Sequence, residues 1–170
     1  MFKKIIGVAL ASLGILTVSA ATDSPLSTDS WKNYVFSHNQ ICRSAFRDGV
    51  FSFQVLRRKD SKDTAALSNQ VQAWLLAGEG LSEGKYELKF RLSVNCAVKG
   101  RICVAAGKSV KLLIGTPIGI SEKGTLPVVL IFRVAGTAVR ASLRLPVVYL
   151  DAPAAGTEVS LSGIELVKLQ

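Results

Sequence analysis

From Lys85 to Cys96, apolar residues (Tyr86, Leu88, Phe90, Leu92, Val94, Cys96) alternate without a break with polar ones (Lys85, Glu87, Lys89, Arg91, Ser93, Asn95). Side chains of a strand point alternately to opposite faces, so this segment is a long strand with one buried and one wet face. Parallel strands are covered on both sides and lack that alternation. A chain built around this strand is therefore antiparallel β, with Tyr86 and Phe90 in its core.

Other strand signals recur between Gly, Pro, Asn and Ser turns. Asn33–Phe36 is short, and Val50–Leu56 puts Phe51, Phe53 and Val55 on one face. Asn69–Leu76 sets Gln70, Gln72, Trp74 and Leu76 against Val71, Ala73 and Leu75. Ile102–Ala106 and Val110–Ile114 follow, and Val128–Val134, apolar on both faces, reads as a central strand. Val139–Leu145 alternates again, and Thr157–Leu169 closes the chain. In that last strand the inward set shifts from Val159 and Leu161 to Ile164 and Leu166. A one-residue slip would otherwise turn the later pair outward, so a bulge is expected at Ser162-Gly163. About nine strands in two packed sheets are expected, an all-β sandwich.

The N-terminus reads as an address. Lys3 and Lys4 precede an apolar run, Ile5 to Val18, and small residues at Val18-Ser19-Ala20 or Ser19-Ala20-Ala21 suit a signal peptidase. Residues 1–21 are expected to be a secretory signal peptide, 22–30 a flexible lead and 31–170 one domain. The product is then secreted, periplasmic or extracellular, with no transmembrane anchor in the mature chain. The formal charge of +9 over 170 residues would suggest nucleic acid inside a cell. Outside one, anionic glycans, envelope lipids or plain solubility are the relevant readings, and no nucleic-acid partner is expected.

Three cysteines fall at 42, 96 and 103. A two-residue turn at Lys99-Gly100 would place Cys96 opposite Cys103, within disulfide reach in an oxidising compartment. The expectation is a Cys96–Cys103 bridge with Cys42 left over.

Two segments resemble a known family. Asn69–Cys96 reads NQVQAWLLAGEGLSEGKYELKFRLSVNC, a strand with Gln72 and Trp74, then a Gly-Lys-Tyr turn and a strand carrying Phe90. Glu158–Leu166 reads EVSLSGIEL, with the phase slip already noted. Both resemble galactose-binding-like jelly-roll modules, in particular carbohydrate-binding modules of the family 4/9/22 type. The resemblance implies a two-sheet antiparallel jelly roll that binds glycan without catalysis, with Gln72 and Trp74 in the site. Ser162-Gly163 stands where the family usually carries Asp-Asn. The carboxylate that helps hold a structural calcium there is missing, so no metal or other cofactor is carried over.

Sugar binding needs aromatic faces for C–H contacts and polar groups for hydroxyls. Trp74, Gln72 and Gln70 are the candidates on one strand. Trp31, with Tyr34 and His38 nearby, offers a loop wall or, alternatively, a seal at the sandwich edge. Lys89, Arg91, Arg140 and Arg144 occupy the polar faces of alternating strands. On one sheet they would form a cationic stripe for an acidic glycan, with Arg91 and Arg144 as ligands; otherwise they are a solvated face. His38 is the only histidine, no carboxylates are paired by spacing, and no metal-ligand pattern occurs, so an enzyme is not expected. The other class left open is a structural or protein-interaction sandwich of the cell envelope.

Overall fold

The computed structural model describes residues 27–58, 70–77, 81–107, 111–136 and 142–169. The proposed leader, residues 22–26 of the lead, Arg140 and the region 59–69 lie outside the described residues. Ten antiparallel strands are present there: β1 (Lys32–Ser37), β2 (Gln40–Arg47), β3 (Val50–Arg58), β4 (Val71–Ala77), β5 (Gly84–Val94), β6 (Val98–Ala106), β7 (Lys111–Ile120), β8 (Gly124–Val134), β9 (Leu143–Leu150) and β10 (Glu158–Leu169).

β4 and β5 form because their apolar sets fall on every second residue. In β5 Tyr86, Leu88, Phe90, Leu92 and Val94 are buried, while Lys89 and Arg91 are exposed. In β4 burial alternates from Val71 to Ala77 with Gln72, Trp74 and Leu76 on the other side. Five strands in the order β1-β4-β9-β6-β7 form sheet A, and five in the order β2-β3-β10-β5-β8 form sheet B. The inner faces interdigitate in one core. Phe51, Tyr86, Leu88, Leu92 and Leu161 from sheet B meet Leu75, Ile102, Leu145 and Leu150 from sheet A. The phenol of Tyr86 keeps a partner by donating to the Ser82 carbonyl at 3.0 Å. Burying these rings and aliphatic chains supplies the main driving force for the fold.

Local devices set the register. Asp48 and Gly49, with φ of 51° and 70°, make the two-residue turn between β2 and β3, where positive φ at both positions matches strand twist. The expected bulge in β10 is present. Ser162 faces Arg91 and Glu165 faces Lys89, so Gly163 and Ile164 share one opposing residue, Phe90. Gly163 has φ +59°, which glycine adopts at little cost. The result is that Leu166 is buried and Ile164 packs on the core.

The structure corrects four expectations. β8 is an edge strand of sheet B, and the second apolar face of Val128–Val134 is open, with Val129 55% and Ile131 44% exposed. Lys99-Gly100 is not a turn. β6 runs straight through it, pairing Gly100 with Leu150 on one side and Ile118 on the other. Cys96 therefore sits in the crossover from sheet B to sheet A, 3.5 Å from the Thr157 hydroxyl. Cys103 lies on the far face of sheet A, and none of Cys42, Cys96 and Cys103 is in a disulfide. Trp31 is a core residue, with its backbone N–H bonded to the Thr28 carbonyl at 3.0 Å; it seals the sandwich and offers no ligand wall.

Candidate glycan-binding face

The outer face of sheet A gathers aromatic, cationic and amide side chains. Strand pairing aligns its outward residues in rows across all five strands. One row runs Tyr34, Trp74, Val147, Cys103, Gly115, and the next runs Phe36, Gln72, Tyr149, Arg101, Pro117. On the other side lies Lys32, Leu76, Arg144, Ala105, Leu112. The β9 contribution keeps its phase through a register shift between Arg144 and Val147 that both neighbouring strands share. Leu145 and Val148 thus face the core while Arg144, Val147 and Tyr149 face out.

In the middle row side-chain size falls from Trp74 to Gly115. Cys103, Ala105, Val147 and Tyr149 form a small apolar cluster with Trp74 packed against it. This cluster is a floor, roofed by aromatic rings and guanidinium groups. Tyr34 and Trp74 stack with ring centroids 5.5 Å apart at 14°. The Arg144 guanidinium lies 4.7 Å from the Trp74 centroid. Tyr34 reaches the indole from β1 and Arg144 from β9, the two neighbours of β4, so the ring stands between them. Tyr149 carries Arg101 at 4.4 Å. Each contact is a cation–π pair, worth about 0.5–2 kcal/mol.

Burial pushes the Tyr149 hydroxyl above its ordinary range, and the nearby Cys103 adds to this against the opposing Arg101 and Arg144. Burial likewise pushes the Cys103 thiol up to about 11 from an ordinary 9.0, with Arg101 opposing. The thiolate is the nucleophile, so Cys103 is expected to be alkylated more than tenfold more slowly than an unfolded cysteine at pH 8. Mass spectrometry after timed iodoacetamide labelling of native and denatured protein measures the ratio, and comparable rates would show that the roof is not closed.

Of the sequence candidates, Gln72, Trp74 and Arg144 come together on this face. Gln70 lies at its rim, donating to the Asp151 carboxylate at 3.3 Å. Arg91 does not join them. It pairs with Ser162 and Pro127 on sheet B, and Lys89, beside it on β5, is 2.6 Å from Glu87. The expected single stripe of Lys89, Arg91 and Arg144 is therefore split between opposite faces. Two members of the site escaped the sequence reading. Arg101 borders the Lys99-Gly100 turn expected from sequence, and Tyr149 follows a phase break within an apolar run, LPVVYL. The alternation Arg101-x-Cys103-x-Ala105 is the signal that could have located the first.

No protein-family model matches the chain, and no curated protein matches it. Solved structures do. A family 4 carbohydrate-binding module (CBM4) superposes with a TM-score of 0.53 at 13% identity, over 82% of this chain and 94% of that one. The chain has the fold of a carbohydrate-binding module. The N-terminal cellulose-binding domain of the Cellulomonas fimi β-1,4-glucanase C matches with a TM-score of 0.50 at 12% identity, over 85% and 91%. The PfGH50B structure matches at 0.53 and 9%, over 88% of this chain but 24% of its own. At these identities the likeness is one of fold, and site residues must be argued from this chain alone.

Proposed function

We propose that the protein is a secreted, non-catalytic glycan-binding module whose outer sheet A face takes an acidic polysaccharide. One observation carries this reading: both well-packed aromatics of the face, Trp74 and Tyr149, hold an arginine guanidinium over the ring. A neutral sugar stacks its C–H face on an aromatic ring, and here Arg144 already occupies that place. A uronate or sulfate changes the balance. Its oxygens accept paired, charge-assisted bonds from guanidinium, each worth about 1.5–3 kcal/mol, which outweighs the cation–π contact given up. Drawing Arg144 off the indole frees the ring for the sugar. Gln72, one row away between Phe36 and Tyr149, offers an amide donor and acceptor to hydroxyls.

Lys32 adds a third cation to these rows, and the rows themselves contain no acid. Affinity for a polyanion should therefore fall with salt. The test is calorimetry with an oligogalacturonide and a neutral cello-oligosaccharide at two ionic strengths. The acidic ligand is expected to bind, and Arg144→Ala to weaken it about tenfold while improving the neutral one. Failure of both ligands to bind at low salt would sink the reading.

A further inference from the structure

We propose a second, independent ligand site on the opposite side of the sandwich, on the outer face of sheet B, for a small hydroxyl-rich acid of the hexuronate kind. A groove of about 500 Å³ crosses β2, β3, β10 and β5 there. That volume falls within the range of small-molecule sites. Its shape follows from strand register. Ser52 pairs with Ser160, Ser160 with Ser93 and Ser93 with Thr125, so four hydroxyls line up across four strands. Ala45 extends the row on β2. Adjacent strands lie about 4.8 Å apart, which sets the spacing of the ladder.

Mid-strand positions favour β-branched and aromatic side chains, and serine gains little there. Three serines on three adjacent strands leave a low trough. Beside it stands a row of long polar side chains, Arg43, Gln54 and Glu158, paired in register. Gln54 donates from Nε2 to Glu158 Oε1 at 2.7 Å. Its own Oε1 is buried without a hydrogen-bond partner, which leaves an unmet acceptor beside the groove.

Charge selects the ligand. Arg43 and Lys123 both line the groove, and neither side chain has a hydrogen-bond or ion-pair partner among the described residues. Glu158 is the single acid lining it and already accepts from Gln54. A ligand carboxylate fits the guanidinium fork of Arg43, and its hydroxyls fall on the serine ladder. The groove presents no aromatic platform, since Phe53 is 2% exposed, so hydrogen bonds and charge must do the selecting. The two faces point away from each other, and both sites can be filled at once.

The test is an amide NMR titration of the protein with galacturonate, galactose and inorganic phosphate, repeated with Arg43→Ala, Lys123→Ala and Arg144→Ala. Galacturonate is expected to shift Ser52, Ser93 and Ser160 saturably, with affinity lowered at least tenfold by Arg43→Ala and unchanged by Arg144→Ala. Galactose binding equally well would overturn the acid requirement, and phosphate binding equally well would overturn the hydroxyl ladder. Shifts confined to the surroundings of Trp74 and Tyr149 would overturn the second site while sparing the sheet A reading. Shifts confined to the serine ladder would support the second site, and the sheet A reading stands or falls on its own titration with the oligogalacturonide. An absence of saturable shifts on sheet B, or shifts that survive Arg43→Ala and Lys123→Ala unchanged, would end the proposal.

Discussion

Gly100→Ala is expected to destabilise the fold by about 3 kcal/mol, a fall in melting temperature of about 10 °C for a domain of this size. A Cβ at residue 100 would lie 1.8 Å from the Tyr149 carbonyl oxygen and 2.8 Å from its carbon. Both are backbone atoms of a central strand and cannot move aside as a flexible side chain would. β6 must back away from β9, opening the pairs Gly100–Leu150 and Arg101–Tyr149 and loosening the core around Leu150 and Ile102. Gly119→Ala is the control. It lies on the neighbouring strand, where an added Cβ meets nothing within 4 Å, and should stay within about 0.5–1 kcal/mol of the parent. Urea unfolding of the three proteins measures both effects, and equal midpoints would refute the close approach of the two strands.

Gly100 also shows where sequence reading stops. A glycine after a lysine between two apolar segments has two physical uses, a tight turn or a place where another backbone comes close. Only the partner strand decides between them, and β9 is more than 40 residues away in the chain. Choosing the turn brought Cys96 opposite Cys103 and produced a disulfide that the fold does not make. The same choice hid Arg101, which stands mid-strand on the outer face of sheet A.

Where the information was local, the reading held. Alternation alone defined β5 and the two faces of β4, including Gln72 and Trp74 on the outer one. The bulge at Gly163 was legible because a phase change in Val159-x-Leu161-x-x-Ile164 has few other remedies. Strand order is another matter. The run Val128–Val134 looked central because apolar residues on both faces usually mean cover on both faces. β8 instead lies at an edge with Val129 and Ile131 exposed. Likewise Lys89, Arg91 and Arg144 share a polar-face pattern, but assignment of β5 and β9 to different sheets depends on pairing across the whole chain.

Trp74→Ala is expected to weaken acidic-glycan binding about 100-fold, near 3 kcal/mol, the scale of a tryptophan at the centre of an interface. The substitution removes more than one ring. Tyr34 loses its stacking partner at 5.5 Å and Arg144 its resting surface, so one change removes the platform and frees two further groups. Trp74→Phe keeps a smaller platform and should lose only part of the affinity. Because Trp74 is packed against the cluster of Cys103, Ala105 and Val147, its removal also unroofs the buried thiol. Cys103 should then be alkylated at least tenfold faster than in the parent, with the cooperative unfolding transition retained. The two readouts separate architecture from function. Faster labelling with binding lost is the expected pair. Faster labelling with binding intact would mean that the face is built as described and that glycan is held elsewhere.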